Sequence, residues 1–100
     1  MAYRLVTVPA ARKSFKKLPR EARKSLIDRL EILKTNPQAG EQLERPWQVF
    51  RSFHALLAGV QYRAVYEVDL RQRLIIIRYA ATRENFYKEL RRLKLKPLSA

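Results

Sequence analysis

Arginine, tyrosine and a lone histidine are the residues of this chain whose types and spacing suit chemistry. Gln61, Arg63, Val65 and Glu67 alternate with Tyr62, Ala64, Tyr66 and Val68 in a run of β-formers. In a strand these two sets point to opposite faces, so Arg63 projects from the middle of one face. His54 shares its own strand face with Ser52 and Leu56. Arg83 and Tyr87 lie one helical turn apart if a helix has begun there, so both can face one spot. A guanidinium fork matches two phosphate oxygens, and histidine is the side chain best suited to accept a proton near neutral pH. The set fits cleavage of RNA, whose own 2′-OH can attack the adjacent phosphorus. The protein must then hold the phosphate in line, stabilise its charge, take the 2′-OH proton and assist the departing 5′-oxygen.

Each of these residues also has a purely architectural reading. A mid-strand arginine can snorkel or pair with a carboxylate, Glu67 being the natural partner. A single histidine on a strand is commonly an ordinary surface or core residue, and Arg83 can be exposed while Tyr87 packs on the sheet. Trp47, beside Pro46, can stack on a base or simply anchor a loop. Other chemistries fall away. With no cysteine and one histidine, neither thiolate chemistry nor a zinc site of the usual kind is available. Two glycines cannot make a phosphate-cradling glycine loop, and no serine nucleophile elbow is present. Glu67 and Asp69, near a strand end, read as solvated rather than as paired catalytic carboxylates.

The elements that must position these residues are legible from periodicity. Residues 3–8 alternate as a short strand. Pro9 suits the first turn of a helix, and Ala11, Phe15 and Leu18 give it one apolar face. After Pro19 a second helix is expected over 20–34, with Ala22, Leu26, Leu30 and Leu33 on a stripe, ending at Asn36-Pro37. A polar loop spans 37–46. Strands follow at 49–57, 61–68 and 73–80, joined by turns at Ala58-Gly59 and at 69–72, which implies consecutive antiparallel hairpins. Leu74-Ile75-Ile76-Ile77 is apolar on both faces, as in an interior strand. A last helix is expected over 83–93, with Phe86, Leu90 and Leu93 inward. Residues 94–100 read as a basic tail that Pro97 keeps from being helical, expected to be disordered. The fold class is α+β: an N-terminal strand, a helical hairpin, a three-stranded antiparallel meander and a C-terminal helix, in the order β-α-α-β-β-β-α, all in one domain over 1–100.

Charge narrows the partners. Lys and Arg total 22 against 9 acids, a formal charge of +13. Such an excess costs stability through self-repulsion and favours a polyanionic or acidic partner: nucleic acid, an acidic protein or an anionic membrane surface. Through residue 34 there are ten Lys and Arg against Glu21, Asp28 and Glu31, so the outside of the helical hairpin is cationic. Hydrophobic residues make up 47% of the chain, enough to collapse into a core. The longest uncharged apolar run, residues 55–60, is too short to span a bilayer. The opening residues read as a strand and not as a signal peptide, so a soluble cytoplasmic protein is expected.

Several segments resemble one known family. Gln61-Tyr62-Arg63-Ala64-Val65-Tyr66-Glu67-Val68-Asp69 resembles the central strand of the RelE/ParE toxin superfamily. Thr82-Arg83-Glu84-Asn85-Phe86-Tyr87 resembles its C-terminal motif, although the family's first residue there, often histidine, is Thr82. Phe15-Lys16-Lys17-Leu18-Pro19, with the helix that follows it, resembles the family's hairpin, and residues 40–43 its loop into the next strand. The resemblance covers nearly the whole chain. It implies the toxin of a type II toxin–antitoxin pair. In the RelE-like mRNA interferase branch, the implied activity is a metal-independent, ribosome-dependent endoribonuclease that acts in the ribosomal A site and leaves a 2′,3′-cyclic phosphate. No cofactor is implied. Carried over by position, Arg63 stabilises the phosphorane-like transition state. Arg83 contacts the phosphate or assists the leaving oxygen, and Tyr87 orients or stacks on RNA. The lysines of the RelE strand before Arg63 fall on Ser52 and His54, with His54 then the general base; alternatively Arg51 is the relevant cation. Arg51, Ser52, Arg78 and Lys88 are the candidate RNA contacts. The implied partners are an acidic, RelB-like antitoxin and mRNA on the ribosome. The alternatives are a ParE-type toxin that inhibits DNA gyrase and cuts nothing, or a non-catalytic RNA- or ribosome-binding module.

Overall fold

The computed structural model describes residues 2–99. The chain begins with β1 (Arg4–Thr7), α1 (Pro9–Lys16) and α2 (Arg20–Leu30), which runs into a 3-10 turn at Glu31–Lys34. Strands β2 (Glu41–Gln42), β3 (Arg51–Leu57), β4 (Val60–Asp69) and β5 (Leu74–Thr82) follow, then a 3-10 turn at Arg83–Asn85 and α3 (Phe86–Leu93). The five strands form one sheet in the order β1-β5-β4-β3-β2. The meander β3-β4-β5 is antiparallel, as expected. β1 joins it in parallel, with Arg4 opposite Leu74 and Thr7 opposite Ile77, so the sheet is mixed and not wholly antiparallel. The Leu74–Ile77 run is thereby interior, between β1 and β4.

Local chemistry sets the boundaries. Val8 is extended and Pro9 occupies the first turn of α1, where its missing N–H costs nothing. The helix expected over 20–34 tightens after Leu30, because the Asn36-Pro37 pair forces the chain out of the α region and the last turn closes as 3-10. Ala58 (φ 50°) and Gly59 (φ 80°) are the two central residues between the paired Leu57 and Val60. Two positive φ angles there match the twist of the flanking strands. The register slips between Val65 and Tyr66: Val65 faces Tyr79 and Tyr66 faces Ile77, leaving Arg78 in a bulge with no cross-strand partner.

The two faces of the sheet are covered differently. The hairpin α1–α2 covers one, where Leu26, Leu30 and Leu33 pack against Ala64, Ile75 and Ile77. Each of these large side chains contributes about 1.5–3 kcal/mol by leaving water. Ser14 pins α1 to the sheet: its hydroxyl donates to Ala11 O (2.7 Å) and accepts from Ala80 N (3.0 Å). The other face carries α3 and the 43–50 loop, which close a smaller cluster of Leu43, Phe50, Val65, Phe86 and Leu90. Tyr66 fastens the loop after α2, its hydroxyl donating to Pro37 O (2.7 Å) and accepting from Gly40 N (2.9 Å). A Cβ on residue 40 would lie 2.7 Å from both Ser52 O and that hydroxyl, so only glycine fits there. None of the helices is long and apolar enough to cross a membrane, among the described residues.

Candidate functional site

His54 and Arg63 are direct cross-strand partners on β3 and β4, and Ala81 of β5 stands on the other side of Arg63. Opposed residues on one sheet face have Cβ atoms ~5 Å apart, so the histidine and the arginine share one spot, and the small Ala81 leaves it open. The Arg63 guanidinium carbon lies 5.0 Å from the Phe86 ring centroid and 5.9 Å from that of Tyr87. Phe86 and Tyr87 meet edge to face (5.0 Å, 83°), and Trp47 reaches Tyr87 from the loop (6.1 Å, 47°). Among the described residues no ion pair includes Arg63. Its charge is held by ring faces, which attract a cation without neutralising it.

Arg83 follows β5 directly and is exposed, and Tyr87, the second residue of α3, has 42% of its surface exposed. The positive field is felt at His54. Its pKa is pushed below the usual 6.5, first by partial burial, then by the charges of Arg63 and Arg83, with Glu41 pulling the other way. Burial and the arginine charges both favour the neutral imidazole, the form that can accept a proton. Of the four residues expected to carry catalysis, His54, Arg63 and Tyr87 come together on the α3 face of the sheet, and the charge of Arg83 reaches His54 from the end of β5. Lys88 is exposed on α3 next to Tyr87.

The other expected RNA contacts do not join them. Ser52 is on the same face but only 1% exposed, and its hydroxyl has no hydrogen-bond partner. Arg51 turns to the opposite face, donating from Nε to Gly40 O (2.9 Å) and from Nη2 to Gln38 O (3.3 Å). Arg78 is buried, and its Nη1 donates to Glu67 Oε2 (2.5 Å) and to Lys96 O (2.7 Å), while its guanidinium lies over Phe50 (5.5 Å). Arg78 stands two residues beyond Ile76, the cross-strand partner of Glu67, and so shares its face; Glu67 pairs with Arg78 and not with Arg63.

Glu67 and Asp69 are thus not solvated. Asp69 is 4% exposed and accepts from Gln72 N and Nε2, both at 3.1 Å. Glu67 is fully buried, and its Oε1 accepts from Leu98 N (2.9 Å), Ser99 N (2.8 Å) and Ser99 Oγ (2.7 Å). Burial alone would raise the pKa of Glu67, and this is the largest single influence. Together the bonds from Ser99, Arg78 and Leu98 outweigh it and hold the carboxyl below its ordinary value. Residues 95–99, where a disordered tail is expected, are fastened to β4 by these bonds. Phe86, read from the sequence as a core residue, is also the ring on which Arg63 rests; cation–π placement of this kind has no local sequence signal.

A profile of the ParE-like toxins of type II bacterial toxin–antitoxin systems matches residues 5–91. The chain belongs to this toxin family, within the RelE/ParE superfamily. Among solved structures it is similar to the toxin–antitoxin complex RelBE2 of Mycobacterium tuberculosis, with TM-score 0.72, 21% identity and coverage of 83% of this chain and 93% of that one. A double-arginine mutant of the Escherichia coli toxin RelE in the free state gives 0.71, 24%, 95% and 100%. The same mutant bound to an antitoxin RelB peptide gives 0.66, 24%, 98% and 99%. No curated protein sequence matches significantly.

Proposed function

We propose that this toxin is a ribosome-dependent endoribonuclease that cleaves mRNA by attack of the RNA's own 2′-OH and needs no metal ion. One arrangement carries the reading: the unpaired Arg63 guanidinium opposite a neutral His54, with Arg83 and Tyr87 at the rim. His54 takes the 2′-OH proton as the O2′–P bond forms. Arg63 holds the charge that builds on the phosphoryl oxygens. Arg83 hydrogen-bonds the 5′-oxygen as the P–O5′ bond breaks, and a solvent proton completes the leaving group. The products are a 2′,3′-cyclic phosphate and a 5′-hydroxyl. Tyr87 stacks on a base beside the cleaved phosphate, and Lys88 adds charge at the rim. Arg51, Arg78 and Ser52, turned away or buried, serve the fold in this reading.

The partner of the toxin is an acidic antitoxin of the RelB kind. The charge of +13 favours it, and the similar toxins of M. tuberculosis and E. coli are seen bound to such proteins. The test of the nuclease is cleavage of mRNA on programmed ribosomes by the purified chain, beside Arg63→Ala. Arg63-dependent cleavage at the A-site codon, with cyclic-phosphate ends, supports it; a folded, antitoxin-free chain that cuts nothing refutes it. The ParE-like profile favours a second reading, inhibition of DNA gyrase without cleavage. A supercoiling assay decides that case.

A further inference from the structure

We propose that Trp47 is a second base-binding residue, forming with Tyr87 a two-ring shelf that holds apart the bases on either side of the cleaved phosphate. This rests on the RNA-cleavage reading and adds a specificity element to the same site. The 43–50 loop is folded on itself by Trp47 N to Glu44 O (2.8 Å) and Phe50 N to Trp47 O (2.9 Å), and braced by Gln42 Nε2 to Gln48 O (2.8 Å). That fold delivers Trp47 to the start of α3 rather than into the core. Its ring packs at the margin of the smaller cluster and stays partly exposed, beside the half-exposed Tyr87. Trp47 thus stands at the rim of the cluster next to Tyr87, which flanks Arg63.

The geometry of the two rings sets what they can bind. Their centroids are 6.1 Å apart and their planes meet at 47°. Consecutive bases in a helical strand are parallel and ~3.4 Å apart, so two neighbours stacked on these rings cannot remain stacked on each other. Splaying them swings the intervening phosphate out of helical geometry. That is what in-line attack requires, because a helical strand keeps the 2′-oxygen well off the line of the P–O5′ bond. Arg63, 5.9 Å from the Tyr87 ring, then meets the phosphate between the two bases. The shelf therefore selects unpaired RNA whose flanking bases can stack, and its contribution is sequence-tolerant, since every base has a π-face.

The test is a cycle of protein and RNA changes on programmed ribosomes. Base–aromatic stacking is worth ~1–3 kcal/mol per base, so Trp47→Leu lowers kcat/KM by roughly 5- to 150-fold, and Trp47→Phe keeps most of the rate. On mRNA carrying an abasic nucleotide in turn on each side of the cleaved bond, one of the two positions slows the parent and abolishes the difference between parent and Trp47→Leu. An equal loss on intact and abasic RNA, or no loss at all, overturns the shelf while leaving an Arg63-dependent nuclease standing. If Trp47→Leu does not fold by its thermal melt, Trp47→Phe is put through the same cycle, and an effect independent of the base again overturns it. Absence of Arg63-dependent cleavage by the parent overturns the RNA reading and the shelf with it.

Discussion

The two faces of the sheet bury side chains under different rules. On the hairpin face, burial is apolar and continuous: Leu26, Leu30, Leu33, Ile75 and Ile77 are all at most 3% exposed, and Ser14 satisfies both roles of its hydroxyl. On the α3 face a small apolar cluster sits between two polar systems. One is closed around Glu67, whose carboxylate pairs with Arg78 and accepts from Leu98 and Ser99, although Arg78 Nε finds no partner among the described residues. The other is open: Arg63 has the rings of Phe86 and Tyr87 beside it and, among the described residues, no ion pair, and His54 stands opposite. A protein that places one unneutralised arginine beside a fully neutralised one on the same face separates stability from function over a few residues. The closed pair holds the face together, and the open one waits for an anion.

Breaking the closed pair has the largest expected effect. Arg78→Ala leaves a buried carboxylate without its cation and lowers the unfolding free energy by about 3–5 kcal/mol, measured by urea denaturation; a loss under about 1 kcal/mol would show that Glu67 is neutral or solvated. Breaking the open site works the other way. Arg63→Ala lowers single-turnover mRNA cleavage by about 100- to 1000-fold, with the urea midpoint of the parent retained. A variant that loses activity only because it unfolds would put Arg63 in the same class as Arg78. On the hairpin face, Leu26→Ala costs about 2–5 kcal/mol of stability and leaves the cleavage rate of the folded fraction unchanged.

Titration sharpens the contrast. The folded Glu67 carboxyl is held below the ordinary value of a glutamate, so the folded state binds fewer protons there. Its stabilisation is complete above about pH 4.3 and is lost as pH falls through the folded value; a Glu67→Gln variant shows a weaker acid dependence in that window. The smallest expected effect belongs to His54. As the sole histidine it gives one imidazole titration by NMR, with a midpoint below 6.5, and Arg63→Gln moves that midpoint upward by removing a positive neighbour. The acid limb of the cleavage profile follows the same midpoint. A midpoint unmoved by Arg63→Gln would separate the two side chains.

What could be read from the sequence followed the range of the interactions involved. Period-two alternation assigned Arg63 to one face and Tyr62, Ala64 and Tyr66 to the other, because a strand's geometry is local. The helices and the meander turns were legible for the same reason. The parallel pairing of β1 with β5 was not, since nothing within residues 4–7 encodes a partner some seventy residues away. The two-residue β2 is too short to carry a period. Arg78 misled because its partner Glu67 is set by the pairing of β4 with β5, and Glu67 because its further partners lie 31 and 32 residues along the chain. The meeting of His54 and Arg63 with Tyr87 was expected only through resemblance to a family; three separate elements, β3, β4 and α3, have to close before those side chains share one place.

The fastening of Glu67 by Leu98 and Ser99 also has a meaning in time. At roughly 5–20 residues per second of synthesis, these donors are made about 2–6 seconds after the carboxylate they satisfy, a span long compared with the folding of a hairpin. For about the first third of that interval Glu67 lacks the Arg78 cation, which comes 11 residues later, and for all of it the backbone amides that cover it. The polar system around Glu67 on the α3 face is thus completed only when the 95–99 segment has been made.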